Sequence, residues 1–362
     1  MKIAIIDDYI KFGGAIQVVA SLHELFPQAP IYTIFSQAKS DPLLKEQFKD
    51  AKIIESWFVR LPYSERLISP LRFLIPLIWR SFNFSEFDLI ITSASWAITK
   101  GLAKGKTKEI CYCHTPPRYL YGYDTSRDWK KHWYIRAYAL IVNHFMRMYD
   151  FNKSQKVTWF IANSMEVQKR INKFYRRESI VINPPVETPN FKLGNKIENY
   201  YLTGGRLEKA KNFDLIIKAC NQLKVPLKIY GTGVQEGNLR QIAGETIKFL
   251  GSITNEQKFE MMSRCKAFIV AAADEDFGIT PVEAMASGRP VLAYRGGGYL
   301  ETVVGGKTGE FFSDYSVDGL VKALKTFKSE KYKSEDCRRQ AQKFSKENFK
   351  KKIKDFIKQN YA

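Results

Sequence analysis

Residues 274–293, DEDFGITPVEAMASGRPVLA, form the stretch from which the fold can be worked out. The apolar run before it, AFIVAAA at 267–273, predicts a buried strand, because short continuous apolar runs are typical of strands covered on both faces. The polar DEDFG that follows predicts a loop. Thr280-Pro281 then predicts the start of a helix, since proline is favoured at the first helical position. Strand, loop and helix together indicate the repeating unit of a parallel α/β sheet.

The two glutamates of this stretch, Glu275 and Glu283, are eight residues apart and have more than one interpretation. Thr280-x-x-Glu283 fits a capping box, in which Glu283 would only satisfy a backbone N–H of the first helical turn. A helix N-terminus that follows a strand is also a site for phosphate, and Glu275 in the preceding loop could accept hydrogen bonds from hydroxyl groups. The pattern alone leaves both interpretations open.

The rest of the chain alternates strand and helix patterns in two successive halves. Strand candidates in the first half are 2–7, 31–35, 88–94, 109–114 and 158–164, and those in the second half are 200–206, 226–233, 246–251, 267–273 and 290–294. VINPPVE at 181–187, followed by a polar stretch to Asn199, indicates a linker. We therefore expect two doubly wound Rossmann-like domains, residues 1–185 and 186–342, and a C-terminal helix at 343–362 that packs back on the first domain.

The charge distribution points to an anionic partner. The 362 residues include 57 Lys and Arg against 37 Asp and Glu, a formal net charge of +20. Residues 56–173 contain 19 basic and 8 acidic residues, and residues 322–362 contain 14 and 5. Such an excess suits nucleic acid, an anionic membrane face or phosphorylated substrates, whereas solvated lysines also account for much of the C-terminal surplus.

Cysteine spacing and hydropathy suggest a cytoplasmic protein. The five cysteines have no metal-binding spacing, so we expect buried thiols in a reducing compartment and no metal site. Asp7-Asp8 interrupts the apolar N-terminal run, which argues against a secretory signal. No apolar segment approaches the roughly 20 residues of a membrane span, so contact with a membrane would be peripheral, at the inner face of the cell membrane.

Three motifs resemble the family 4 retaining glycosyltransferases, whose GT-B fold has two Rossmann-like domains facing across a cleft. GGRLEKAKNFDLII at 204–217 is similar to the family's G-R-L-x-x-x-K-N stretch, and YCHTPPRYLYGYD at 112–124 resembles the C-H-T-P-x-R-Y stretch of mannosyltransferase-like members that build lipopolysaccharide and O-antigen chains. The opening stretch resembles the E-x7-E signature through Glu275, Phe277, Gly278, Glu283, Ala284, Met285, Ala286, Gly288, Pro290 and Val291. GGGYLETV at 296–303 continues this resemblance.

The resemblance implies a role for each candidate site residue. Glu283 would hold ribose hydroxyls and Glu275 sugar hydroxyls of a nucleotide-sugar donor. His114 would face the donor sugar from the opposite domain. Arg206 and Lys211 would neutralise the departing diphosphate, although two cations at a helix start are also typical of an exposed surface pair. The remaining candidates for donor contact are Gly13, Gly14, Ile253, Phe277, Gly278, Ile279 and Thr280.

The implied reaction moves a hexose from a nucleotide diphosphate sugar to an acceptor hydroxyl without a metal or any other cofactor. The C-H-T-P string favours GDP-mannose as donor, and a UDP-sugar is the alternative. The expected acceptor is a glycan or a polyprenyl-diphosphate-linked glycan. A GT-B-like sugar-nucleotide epimerase would bind the same donor but turn over without an acceptor. A nucleic-acid-binding protein would explain the charge, yet the sequence has no recognition motif for one, so we expect no nucleic-acid partner.

Two segments combine aromatic and basic residues and have two interpretations. Residues 56–84 contain Trp, Phe, Leu and Ile together with four arginines, and residues 127–149 have a similar composition with a helical period. Aromatic and cationic side chains together suit an anionic membrane interface, which a lipid-linked acceptor would require. Packing of the same aromatics between helices and sheet is the alternative.

Overall fold

The computed structural model describes residues 1–11, 13–125, 132–189 and 196–361. Residues 127–131 of the second aromatic segment and residues 190–195 of the expected linker region lie outside the described residues. The chain divides into two compact units. The first takes in the described residues up to Tyr123, residues 132–185 and residues 346–361. The second takes in Asp124, Thr125 and the described residues from Val186 to Ser345.

The first unit is a parallel sheet with helices between its strands. Its strands are β1 (Ile3–Ile10), β2 (Ile31–Ser36), β3 (Ile53–Glu55), β4 (Leu89–Ala94), β5 (Lys108–Cys113), β6 (Trp159–Ala162) and β7 (Ile180–Val181), in the order β3-β2-β1-β4-β5-β6-β7. Its first helices are α1 (Ile16–Leu25), α2 (Pro42–Gln47), α3 (Ser64–Leu67), α4 (Ile75–Arg80), α5 (Trp133–Ser154) and α6 (Met165–Tyr175). Short 3₁₀ turns lie at Trp57–Arg60 and Arg72–Leu74.

The second unit repeats the arrangement. Its parallel strands are β8 (Tyr201–Gly204), β9 (Leu227–Tyr230), β10 (Ile247–Gly251), β11 (Phe268–Val270), β12 (Val291–Tyr294) and β13 (Gly309–Phe312), in the order β10-β9-β8-β11-β12-β13. Its helices are α7 (Phe213–Leu223), α8 (Glu236–Gln241), α9 (Asn255–Arg264), α10 (Ile279–Ala286), α11 (Tyr299–Thr302), α12 (Val317–Thr326) and α13 (Ser334–Gln342). Further 3₁₀ turns lie at Lys209–Lys211 and Ser329–Lys331.

The last helix, α14 (Lys346–Tyr361), completes the first unit. Its apolar side chains Phe349 and Ile353 join the core formed by β1, β2, β4 and α1. Lys346 Nζ lies 2.9 Å from a carboxylate oxygen of Glu24 on α1, and Lys350 contacts the other oxygen. The apolar stripe of an otherwise basic helix is thus buried, while its lysines face outward.

Both sheets confirm the predicted α/β class with two doubly wound domains. The strands of each are buried apolar runs, because helices cover both faces of a parallel sheet. In each sheet the strand order reverses beside the first strand, between β1 and β4 and between β8 and β11. Ligands of such sheets bind beyond the carboxyl ends of the strands at this switch point, so these two edges are the places to look for a site.

The burial of the cysteines was expected from the sequence and is confirmed. The five cysteines are buried thiols. In the part of the chain that the structure describes, we find no helix with the length and apolar character needed to traverse a bilayer.

Candidate functional site

Helix α10 begins at Ile279, one residue before Thr280, and the structure contradicts the capping-box interpretation of Glu283. Gly278 is the N-cap with φ 92°, and no side chain in the described chain caps this end. The positive φ favours glycine, and a Cβ there would also lie 2.9 Å from the ring of Tyr299. Thr280 therefore lies inside the first turn instead of before it, so it cannot act as the cap of a box with Glu283.

Glu283 points instead to a lysine on the preceding helix. Its Oε1 lies 2.7 Å from Nζ of Lys258 on α9, and both side chains are nearly buried. Burial raises the pKa of Glu283, and the Lys258 ammonium opposes that rise. The hydroxyl of Tyr230 is buried with no hydrogen-bond partner among the described residues, and burial together with Glu283 raises the pKa of Tyr230. These three side chains form a buried polar group at the start of α10.

Glu275 connects the loops that follow β8 and β11. Its Oε2 lies 2.6 Å from Nζ of Lys211 and accepts a hydrogen bond of 3.2 Å from the Tyr299 hydroxyl. Lys211 ends the 3₁₀ turn after β8, and Glu275 lies in the loop after β11. The ion pair is therefore at the switch point of the second sheet, where a ligand is expected. Burial raises the pKa of Tyr299, and Glu275 raises it further, so that Tyr299 remains a hydrogen-bond donor.

Glycines hold the loop that contains Glu275. The Gly298 amide donates to the Glu275 carbonyl oxygen over 2.8 Å. A Cβ at Gly298 would lie 2.4 Å from Cα of Phe277, and a Cβ at Gly297 would lie 2.5 Å from the Glu275 carbonyl oxygen. The stretch from 296 to 298 therefore packs backbone against backbone on the loop, at a distance that larger residues would not allow.

The two predicted cations of the β8 loop differ in their surroundings. The Arg206 side chain is 64% exposed and pairs with Glu208 at 3.2 Å. The Lys211 side chain is 35% exposed and pairs with the more deeply buried Glu275. Arg206 thus resembles the exposed surface pair of the alternative interpretation, whereas Lys211 belongs to a polar group at the switch point.

The remaining candidates in this unit are apolar or backbone positions. Phe277 is buried with its ring centroid 5.3 Å from that of Phe344. Ile279 opens α10, and both Ile279 and Ile253 pack, partly buried, on the core beneath. The structure brings Lys211, Glu275 and residues 277–280 to the edge formed by β8 and β11, whereas Ile253 follows β10 further along the sheet.

The candidates of the first unit lie at the carboxyl edge of its own sheet. Gly13 and Gly14 lie between β1 and α1. His114 follows β5, is buried, and has its Nε2 2.9 Å from the Ser93 hydroxyl. Its ring centroid lies 5.2 Å from that of Tyr112.

Three polar residues of the second unit were not predicted from the sequence. Lys258, Tyr230 and Tyr299 contact or adjoin the two glutamates. Tyr299 belongs to the GGGYLETV string, so its place beside the signature was a usable signal. Lys258 and Tyr230 carry no such signal, because their roles depend on how α9 and β9 pack against α10.

Comparison with known proteins gives a family match for the second unit. Residues 187–344 match the sequence model of the family described as "Glycosyl transferases group 1". The chain is also 23% identical over 370 aligned positions to the alpha-1,3/1,6-mannosyltransferase ALG2 of Candida glabrata. That alignment covers 84% of this chain and 78% of the yeast protein.

Two solved structures share the whole fold. Anabaena HepE in complex with UDP has a TM-score of 0.71 at 18% identity, covering 99% of this chain and 100% of HepE. Sucrose-phosphate synthase from Thermosynechococcus elongatus has a TM-score of 0.76 at 17% identity, and both chains are fully covered. At these identities the likeness establishes the fold, which is that of two Rossmann-like domains of GT-B type.

Proposed function

We propose that this glycosyltransferase transfers mannose from GDP-mannose, with retention of anomeric configuration, to a glycan or polyprenyl-diphosphate-linked acceptor in cell-surface polysaccharide synthesis. The observation that carries the proposal is the contact of Lys211 with Glu275 at the switch point of the unit that matches the glycosyltransferase family. A polyprenyl-linked acceptor lies in the membrane, so we expect the protein to work at the inner face of the cell membrane.

The chemistry of the pair suits a nucleotide-sugar donor. The bond between the anomeric carbon and the diphosphate oxygen breaks, a bond from that carbon to the acceptor oxygen forms, and the diphosphate oxygen takes the acceptor proton. Lys211 is a mobile point charge that can neutralise the growing charge of the diphosphate, with Arg206 and the N-terminus of α10 as further donors. Glu275, held by Tyr299, would accept hydrogen bonds from sugar hydroxyls, and the resemblance assigns His114 to the same sugar.

The second carboxylate would bind the nucleoside. Glu283 stands four residues into α10, and its pairing with Lys258 favours the charged form that accepts hydrogen bonds from ribose hydroxyls. The donor-binding roles are thus divided between two ion pairs. Lys211 with Glu275 is partly exposed at the loops after β8 and β11, and Lys258 with Glu283 is nearly buried between α9 and α10.

Two observations bear on the choice of donor. The similarity to ALG2, an alpha-1,3/1,6-mannosyltransferase by its description, supports mannose as the transferred sugar, and the C-H-T-P string favours GDP-mannose as its donor. HepE has been solved in complex with UDP-glucose, which keeps a UDP-sugar as the second candidate.

Thermal stabilisation by nucleotides tests the proposal and separates the donors. A ligand that binds only the folded protein raises its melting temperature. GDP, UDP, ADP and their common sugars would be compared on the natural protein and on Lys211→Ala and Glu283→Ala. Lys218→Ala is the control, because Lys218 forms an exposed pair with Asp214.

We expect GDP-mannose to stabilise the natural protein and the control, and neither site variant. Stabilisation by UDP-sugars alone would replace the mannosyl donor and leave the site as proposed. Absence of stabilisation by every nucleotide would contradict the proposal as a whole.

A further inference from the structure

Helix α5 buries the polar residues Asn143, Asp150 and Ser154 and exposes most of its large apolar residues, together with the polar Arg136, His144, Arg147 and Asn152. Its buried positions are Ala139, Asn143, Met146, Asp150 and Ser154. Its exposed large apolar side chains are Trp133, Tyr134, Leu140, Ile141, Phe145, Met148 and Phe151. At 100° per residue these exposed side chains fall within an arc of roughly 140°, opposite the buried positions. We call this set of exposed side chains the α5 face. A surface helix of a globular protein normally has the reverse arrangement.

Polar contacts on the inner side fix the rotation of the helix. Asp150 forms a fully buried ion pair with Lys100 and accepts a hydrogen bond of 2.7 Å from the Tyr121 hydroxyl. Asn143 accepts a hydrogen bond of 2.9 Å from Nε of Arg72. Turning α5 to bury its apolar side would break these contacts and strand a buried charge, which is costly. The outward position of the α5 face is therefore built into the fold.

The neighbouring segment extends the apolar surface. Arg72 also lies over the Tyr138 ring, 4.8 Å from its centroid, and the Tyr138 hydroxyl donates to the Pro70 carbonyl oxygen. These contacts join the segment at 70–77 to α5, and its Phe73 and Leu77 are exposed as well. Two adjacent elements thus present apolar side chains to the outside.

Charge on this side of the molecule suits an anionic bilayer surface. Asp150 is the single acidic residue of α5 in the sequence, and it is buried, so the outer side of the helix carries no carboxylate. The exposed Arg136 and Arg147 lie along one edge of the α5 face. Arginine beside tryptophan, tyrosine and aliphatic side chains is the composition of helices that lie in a membrane interface.

We propose that the α5 face lies in the interface of an anionic lipid bilayer, with the helix axis in the membrane plane over about 33 Å. The proposal rests on the membrane-borne acceptor of the proposed function and identifies the surface that would reach it. The helix lies on the membrane instead of crossing it, because its other side is held against the first unit by Asn143 and Asp150.

Vesicle flotation with matched variants tests the proposal. The full chain would be mixed with vesicles of phosphatidylcholine alone and with vesicles that contain roughly one third phosphatidylglycerol. The test variant is Leu140→Gln/Phe145→Gln, at positions that are 74% and 63% exposed. The control is Leu43→Gln/Val234→Gln, which removes apolar side chains with 64% and 62% exposure from other surfaces. Binding of GDP-mannose would be measured on the same proteins through the rise in their melting temperature.

We expect the natural protein and the control to float with the anionic vesicles, and the α5 variant to partition about tenfold less or weaker still, with unchanged GDP-mannose stabilisation. Failure of the natural protein to float, or equal flotation of all three proteins, would overturn the membrane proposal while leaving the proposed function standing. A dimer of the natural protein that becomes a monomer in the α5 variant, without any change in flotation, would assign the face to a second copy of the chain instead.

Discussion

Asp8 and Glu275 are both carboxylates at the switch point of a sheet, yet their partners differ. Asp8, near the end of β1, accepts hydrogen bonds from the amides of Ser95 and Ala97, at 3.1 and 3.0 Å, and from the Ser95 hydroxyl at 2.7 Å. It also accepts from Trp96 N and Thr99 Oγ1. Glu275, in the loop after β11, has the side chains of Lys211 and Tyr299 as its partners.

The two carboxylates have similar places in the two sheets but are held by different kinds of contact. In the first unit the carboxylate ties the end of the first strand to the loop after the fourth, and its partners are mostly backbone amides that cannot leave without unfolding the loop. In the second unit Glu275, in the loop after β11, meets Lys211 of the β8 loop and Tyr299 of α11 through their side chains. The partly exposed lysine can exchange one partner for another. We therefore expect Asp8 to act on stability and Glu275 with Lys211 to act on the reaction.

The largest effect should come from Lys211→Met. In the proposed mechanism Lys211 neutralises the diphosphate, so its loss should lower the transfer rate about 10²–10³-fold. Stability should change by no more than about 1 kcal/mol, because a partly exposed ion pair contributes little. Sugar transfer and thermal melting would be measured on the variant and on Lys218→Met as the control. A melting temperature that falls in step with activity would contradict the division of roles.

The next largest effect should come from Asp8→Asn, compared with Asp7→Asn. Asparagine at position 8 loses the charge that strengthens several buried hydrogen bonds, so we expect about 2–3 kcal/mol of destabilisation. Burial raises the pKa of the neighbouring Asp7 well above its ordinary value, so a neutral side chain suits that position and should cost less than about 1 kcal/mol. Denaturant unfolding would measure the stability of both variants. Equal losses of stability would show that a buried position in β1, and not the hydrogen bonds of Asp8, decides the effect.

The sequence predicted the central strands because each is an apolar run whose pattern identifies it. The edge strands β3, β7 and β13 were not predicted, since IIE, IV and GEFF are not part of longer apolar runs and form strands through pairing with a neighbour. The same limit applies to the site. The family resemblance singled out Glu275 and Lys211, but they are 64 positions apart and no pattern along the chain shows that they touch. The start of α10 was misplaced by one residue because the helix is capped by Gly278 at a positive φ, and the Thr-Pro pattern drew attention to the residues after it.

A smaller effect should come from Gly298→Ala. This variant tests whether the loop that contains Glu275 must be held in one position, as the hydrogen bonds of Asp8 hold the loop after β4. The added Cβ would meet the backbone of Phe277, so the loop must shift at an expected cost of about 1–2 kcal/mol, together with weaker donor binding. Gly237→Ala is the control, because a Cβ there meets nothing within 4 Å. Calorimetric titration with the nucleotide sugar measures the effect, and unchanged affinity would show that the loop adapts to its ligand.

The smallest effect should come from Lys258→Met, which removes the lysine partner of Glu283. Glu283 is buried, as Asp8 is, but it pairs with a lysine, as Glu275 does. Burial holds the pKa of Glu283 above its ordinary value, and removal of the ammonium raises it further. An acid with a raised pKa in the folded protein favours stability below its ordinary pKa and loses that contribution as pH rises through the raised value. The variant should therefore have the same free energy of unfolding as the natural protein in mildly acid solution. As the pH rises to neutral, it should become less stable than the natural protein by roughly 1 kcal/mol.

The affinity of Lys258→Met for the donor should change with pH in the opposite sense to its stability. The proposed function has ribose hydroxyls bind the ionised carboxylate of Glu283. The affinity of the variant should therefore begin to fall at a higher pH than that of the natural protein as the solution is acidified. Calorimetric titration across the pH range would measure this, with Lys218→Met as the control. If affinity in both variants followed the pH curve of the natural protein, Glu283 would belong with Asp8 as a structural carboxylate. A displaced curve in Lys258→Met alone would place Glu283 with Glu275, because it would show that the protonation of Glu283 is coupled to donor binding.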